Sequence, residues 1–354
     1  MSIPTLHIIL FASLASLASL LVSTGRADQS REEVALFIFG DSINDAGTNN
    51  YINTTADFRA NFPPYGKTFF HNPTGRFSDG RLIADFITEF AKLPLIPPYL
   101  QMKDGEFMAG TNFASGGAGA LVTLTKDLYV VDFKMQLKQL KQLRKKLRKK
   151  EGKDQANRII KEGVYLISIG SNDYLMPLVY NPALFQSISM EDYVGMVIGN
   201  ITTVLKGMYK VGGRKFAMMG IGPLGCVPGM RLLTRNGSCS GAANKLTRLH
   251  GFKYSYFDFY ASGSEKIRHP SKYGFKEVEN ACCGSGPYRA SPTSGGKRGV
   301  KEYSLCRHPE KFLFFDTYHP SERANKQSAQ LMWNGSLSVI RPRNLEALFK
   351  YEHV

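Results

Sequence analysis

Five short apolar runs, each breaking into a turn rich in glycine, serine or acid, constrain this chain more than any other feature. They are Val34 to Phe39, Thr111 to Ser115, Val164 to Ile169, Lys215 to Met219 and Phe312 to Phe315. Runs such as VALFIF and VYLISI have the length and the β-branched or aromatic content of strands buried on both faces. Between the runs the apolar spacing is helical: Leu82, Ile83, Phe86, Ile87 and Phe90 within Arg81 to Leu93, and again over residues 190–210 and 241–266. Such alternation predicts an α/β fold, a parallel sheet covered by helices on both faces. In such a sheet the turns after the strands gather at the carboxyl edge, where open α/β sheets place their ligands.

Those turns carry groups capable of chemistry. Gly40-Asp41-Ser42 lifts a hydroxyl to the sheet's edge, where it can attack a carbonyl, although Asp and Ser also form ordinary capped loops. Gly116-Gly117-Ala118-Gly119 leaves backbone N–H groups unshielded, which suits a negative oxygen as well as a plain turn. Asp316 and His319, three positions apart on one turn, can hydrogen-bond. The carboxylate then fixes the imidazole tautomer, and the outward ring nitrogen can take a proton from Ser42. A turn aspartate and a surface histidine are the plainer alternative, the chain having seven histidines. Ser321 reads as the cap of a helix running to about Trp333.

The chain's 354 residues, 43% hydrophobic and 21% charged, suffice for a large packed core and are too balanced for disorder. Residues 8–22 carry no charge and lead to Gly25-Arg26-Ala27, with small residues where a signal peptidase reads. Residues 1–27 are read as a secretory signal peptide and 28–354 as one domain, with no later run long enough to span a bilayer. Secretion makes the Asn-X-Ser/Thr sequons at Asn53, Asn200, Asn236 and Asn334 candidates for glycosylation. It also favours disulfides among the five cysteines: Cys226 with Cys239, and one of Cys282 or Cys283 with Cys306, leaving one thiol over. No Cys-X-X-Cys pair or His-rich helix spacing points to a metal site.

Asp132 to Lys150 is the most helical segment, with Phe133, Leu137, Leu140 and Leu147 on one stripe and ten Lys or Arg between Lys134 and Lys153. Its positive face is either an ordinary solvated surface or one drawn weakly to anionic polymer or lipid head groups. Nucleic acid is not an expected partner, because the chain reads as exported and no aromatics interleave along that face.

Taken in order, GDSINDAGTNNY, PPYGKTFFHNPTGRFSDGRLIADF, GTNFASGGAG, SIGSNDY, GIGPLGCVP, ACCGSG and FFDTYHPSERAN resemble the plant secreted GDSL esterase/lipases of the SGNH hydrolase superfamily. Defence-associated extracellular lipases are the nearest-looking branch, and the resemblance covers essentially all of residues 28–354. It implies a three-layer α/β/α SGNH-hydrolase fold with a five-stranded parallel sheet, hydrolysis of carboxylic esters, no cofactor and no metal. It also implies Ser42 as nucleophile, His319 as general base and Asp316 as its partner. The oxyanion hole would comprise the Ser42 amide, Gly116 in preference to Gly117, and the Asn172 side chain. Ile43 stands where leucine is usual and Thr48 interrupts the usual Gly-Asn-Asn-Asn, but neither side chain moves a proton.

The function expected on these grounds is a secreted serine esterase/lipase of the apoplast or cell wall, acting on lipid or acylated wall components in lipid degradation or defence. An acyltransferase or a carbohydrate acetylesterase could use the same residues, and a non-catalytic wall- or membrane-binding protein could use the basic helix. No long apolar lid-like segment stands out, which leans toward short or medium acyl chains. A histidine base sets the activity optimum at neutral to mildly alkaline pH.

Overall fold

A computed structural model describes residues 34–102, 107–121, 129–250, 256–291 and 302–351. The segment read as a signal peptide lies outside the described residues. The strands are β1 (Leu36–Gly40), β2 (Gly110–Asn112), β3 (Val164–Ser168), β4 (Lys215–Met219), β5 (Tyr256–Phe257), β6 (Cys283–Gly284), β7 (Ser304–Leu305) and β8 (Ile340–Arg341). The central sheet runs β2-β1-β3-β4-β5-β8; the first five are parallel and β8 is an antiparallel edge. β6 and β7 pair separately as a short antiparallel ladder.

Alternation within the strands builds the layers. Phe37, Phe39, Tyr165, Ile167 and Met218 point to one face, and Leu36, Ile38, Val164, Leu166, Ala217 and Met219 to the other. On the first face pack the apolar stripes of α1 (Phe133–Glu151) and α2 (Met190–Val211), including Leu140, Leu143, Val197 and Ile201. The second face is covered by α3 (Ile83–Phe90) and α4 (Glu322–Asn334) through Ile83, Phe86, Ala329 and Met332. Because water reaches neither face, strand residues of both parities are apolar, which explains the continuous runs in the sequence. Asp132 caps α1 through the Met135 N–H and Ser321 caps α4 through the Ala324 N–H.

The expected sheet differs from the observed one at its far edge. Phe312 to Phe315 is not the fifth strand; it makes only isolated bridges, Phe312 to Glu277 and Phe314 to Pro320. Phe312 and Phe315 are held in a satellite cluster with Tyr65, Phe62 and the Cys282–Cys306 bridge, and Leu313 and Phe314 in the main core, so burial without a ladder imitates a strand. The fifth parallel strand is Tyr256–Phe257, inside the stretch read as one helix over 241–266. That stretch is two helices, Gly241–Leu249 and α5 (Phe259–Arg268), with β5 before the second. Two residues are too few to register as alternation.

The cysteines pair as Cys226–Cys239 and Cys282–Cys306, and Cys283 is buried outside both bridges. The side chains of Asn53, Asn200, Asn236 and Asn334 are all exposed. Among the described residues no helix is long and apolar enough to cross a membrane.

Candidate active site

The carboxyl edge of the sheet brings three distant side chains into one line. Ser42 Oγ donates to His319 Nε2 at 2.8 Å, and His319 Nδ1–H donates to Asp316 Oδ1 and Oδ2 at 2.7 and 2.8 Å. Asp316 is buried and ionised carboxylates only accept, so the ring proton belongs on Nδ1 and Nε2 is left to receive one. The carboxylate is itself fixed: Oδ1 accepts the N–H groups of Tyr318 and His319, and Oδ2 accepts the buried Tyr65 hydroxyl at 2.6 Å. The Phe77 ring packs 4.9 Å from the imidazole and holds its plane.

Ser42 owes its place to the way β1 ends. Gly40 has φ 137°, and a Cβ there would lie 1.9 Å from the Ser168 carbonyl oxygen on β3, so only glycine lets the chain turn this close to its neighbour. The buried Gln136 side chain of α1 clamps that glycine from both sides, accepting its N–H (2.9 Å) and donating to its carbonyl (2.8 Å). Asp41 N–H donates to Ser168 O, and Asp41 Oδ1 accepts the Ile43 N–H in a local turn that presents the intervening serine.

Two buried carboxylates brace the glycine-rich loop. Asp45 accepts Gly47 and Thr48 N–H on Oδ1 and Gly116 N–H on Oδ2, tying that loop to the chain after the serine. At the other end Asp173 accepts the N–H groups of Ala120 and Leu121. Burial pushes both carboxyls up to about 6 against the pull of these N–H groups. The Asn172 side chain donates one amide proton to Ala118 O at 2.8 Å, which leaves the second proton of that NH2 for a ligand.

One expected donor already has an acceptor in the fold. Gly116 N–H donates to Asp45 Oδ2 at 2.7 Å. The next amide, Gly117 at φ 81°, has no acceptor among the described residues, and neither has the Ser42 amide. Adjacent glycines are interchangeable to a sequence reader; the Asp45 carboxylate that distinguishes them lies 71 residues away. The role of Gln136 is hidden for the same reason, since one polar position on a basic helix carries no sign of the glycine it clamps 96 residues away.

Asp41 itself is fully buried, and its Oδ2 has no hydrogen-bond partner among the described residues. Burial raises its pKa from 3.8 to about 7. The folded state therefore holds this proton where the unfolded chain has lost it. The group's contribution to stability is full below pH 3.8 and falls as pH rises to about 7. Asp41→Asn keeps an oxygen for the Ile43 N–H and cannot ionise. Relative to wild type it is expected to gain on the order of 2–3 kcal/mol between about pH 5 and 8.5, measured by urea unfolding at both. An identical difference at the two pH values would show that the buried carboxyl does not titrate there.

The sequence is similar to known proteins over most of its length. Residues 36–332 match the family model for GDSL-like Lipase/Acylhydrolase. The chain is 48% identical over 337 residues to GDSL esterase/lipase 1 of Arabidopsis thaliana, covering 89% of this chain and 90% of that protein. Identity to GDSL esterase/lipase 5 of the same plant is 47% over 339 residues, with 89% and 87% covered. With a GDSL lipase of Tanacetum cinerariifolium it is 44% over 337 residues, with 91% and 89% covered.

Proposed function

The chain belongs to the GDSL-like lipase/acylhydrolase family and is an ester-bond hydrolase; from that premise we propose that it cleaves carboxylic esters through Ser42, His319 and Asp316 by way of an acyl-enzyme. The observation that carries the reading is the unbroken hydrogen-bond line from the Ser42 hydroxyl through the imidazole to Asp316. Ser42 Oγ attacks the ester carbonyl while Nε2 takes its proton, and the imidazolium formed is stabilised by the Asp316 carboxylate. The same proton passes to the departing alcohol. Water, activated in turn by Nε2, then releases the acid and restores the serine.

Negative charge on the carbonyl oxygen is met by the Ser42 and Gly117 amides and by the free Asn172 amide proton. Their bracing by Gln136, Asp45 and Ala118 O supports this assignment, since donors that need not reorganise contribute most. Asn172→Ala is expected to lower kcat on nitrophenyl acetate or butyrate by about 10²- to 10³-fold with little change in KM. A loss of less than about threefold would take the side chain out of the hole. Assay of nitrophenyl esters from acetate to palmitate beside acetylated xylan and pectin tests the wider reading. Turnover of acetylated polysaccharide alone would assign a carbohydrate esterase, and transfer to an added alcohol a transferase.

Export of the chain and glycosylation at Asn53, Asn200, Asn236 and Asn334 are supported by the disulfides and by the exposure of each asparagine. A lipid-degrading role is supported by the word lipase in the relatives' names, and a defensive role in the wall by the resemblance alone. Along α1 the Lys and Arg side chains are exposed apart from half-buried Arg144, which supports a weak, salt-sensitive contact with anionic polymer or lipid.

A further inference from the structure

Beside the proposed nucleophile and base lies a cavity of about 70 Å³. Ile43, next in the chain to Ser42, and Tyr318 and Pro320, on either side of His319, form part of its wall. Most of the remaining lining is apolar, from Leu224 and Val227 to Phe259 and Leu313. Lys266 of α5 breaks that pattern. It lines the same cavity and is only 2% exposed. Its ammonium donates to Ser262 Oγ one turn back at 2.8 Å and lies 5.6 Å from the Tyr273 ring. Among the described residues no carboxylate pairs with it, and burial draws its pKa down to about 8.

An ammonium has three protons to place, and a hydroxyl and a ring face leave donors over. Buried charge without a counter-ion is costly, and methionine or leucine would fill this wall with no such cost. Resting on the ester-hydrolase reading above, we propose that the cavity takes one arm of the ester and that Lys266 receives a carboxylate carried at the end of that arm. The preferred substrates are then esters with an apolar arm ending in an acid, such as half-esters of dicarboxylic acids. The anion would supply what the fold withholds from Lys266, and a charge-assisted hydrogen bond in an apolar wall discriminates strongly against an uncharged end.

The test compares matched esters. Nitrophenyl hydrogen adipate against nitrophenyl hexanoate places the acid on the acyl arm, and acetylated hydroxyhexanoate against hexyl acetate places it on the alcohol arm. In one of the two pairs wild type is expected to favour the acid-ended ester in kcat/KM by roughly tenfold or more, and the pair identifies the arm. Lys266→Met should remove that preference, read as the ratio of kcat/KM within each pair. Lys272→Met, at an exposed lysine nearby in the chain, should keep it and so exclude the general pull of a basic protein. Competitive inhibition of wild type by hexanoate well below the concentration needed for hexanamide gives a check independent of any variant. Turnover of uncharged esters with no preference in either pair, or a preference that survives Lys266→Met, would overturn the assignment and leave the esterase standing. Failure to hydrolyse any ester would overturn the esterase reading with it.

Discussion

Ser42→Ala is expected to abolish ester hydrolysis, a loss on the order of 10⁶-fold in kcat, with the fold unchanged. The side chain is half buried, and the one hydrogen bond its hydroxyl makes among the described residues is to His319. Removing it costs about 1 kcal/mol of stability at most, a small fraction of what holds the domain together. The catalytic cost is of another order, because the only remaining attacker is water with no fixed position. Amides that would hold the oxyanion remain, so a residue of rate enhancement survives. A fluorophosphonate probe provides the clean measurement: one label per wild-type chain, none on the variant, and equal melting temperatures for both. Labelling of the variant at the wild-type rate would remove Ser42 as the nucleophile.

What the sequence disclosed, and what it hid, divides by the distance over which the cause acts. β1, β3 and β4 were legible because each is five residues, buried on both faces, and written in consecutive apolar side chains. The polar turns at their ends were legible as candidates for the same local reason. β5 was not, since two residues carry no period and its place in the sheet is set by pairing with Met218 and Met219. Phe312 to Phe315 has the composition of a strand because apolar burial leaves the same mark on a sequence as strand pairing. At the site, the residues expected to react lie where the turns predicted, while the groups that aim them do not announce themselves. Gln136 acts on Gly40 from 96 residues away and Tyr65 on Asp316 from 251. Asp45 alone decides that Gly116 is occupied and Gly117 open. Buried hydrogen bonds between remote segments leave no periodic trace, and they are the part of such a site that only coordinates reveal.

Asp316→Asn is expected to cost about 10⁴-fold in kcat while leaving KM and the fold nearly unchanged. The reason lies in which proton the imidazole keeps. Oδ1 faces two backbone N–H groups, those of Tyr318 and His319, so an amide at this position must turn its carbonyl toward them. Its NH2 then occupies the place of Oδ2, against the Tyr65 hydroxyl and 2.8 Å from Nδ1. The hydroxyl can rotate and accept, but the ring can satisfy an N–H donor only by leaving Nδ1 unprotonated. The proton moves to Nε2, which now points a hydrogen at Ser42 where a lone pair is needed. Tyr65→Phe separates this from mere loosening of the carboxylate: it deletes one acceptor bond, leaves the tautomer alone, and is expected to cost about tenfold or less. Retention of more than a tenth of wild-type kcat by Asp316→Asn would mean that the ring keeps its tautomer through the 2.7 Å contact with Oδ1 alone. Asp316 would then anchor the turn that carries His319 without tuning the base.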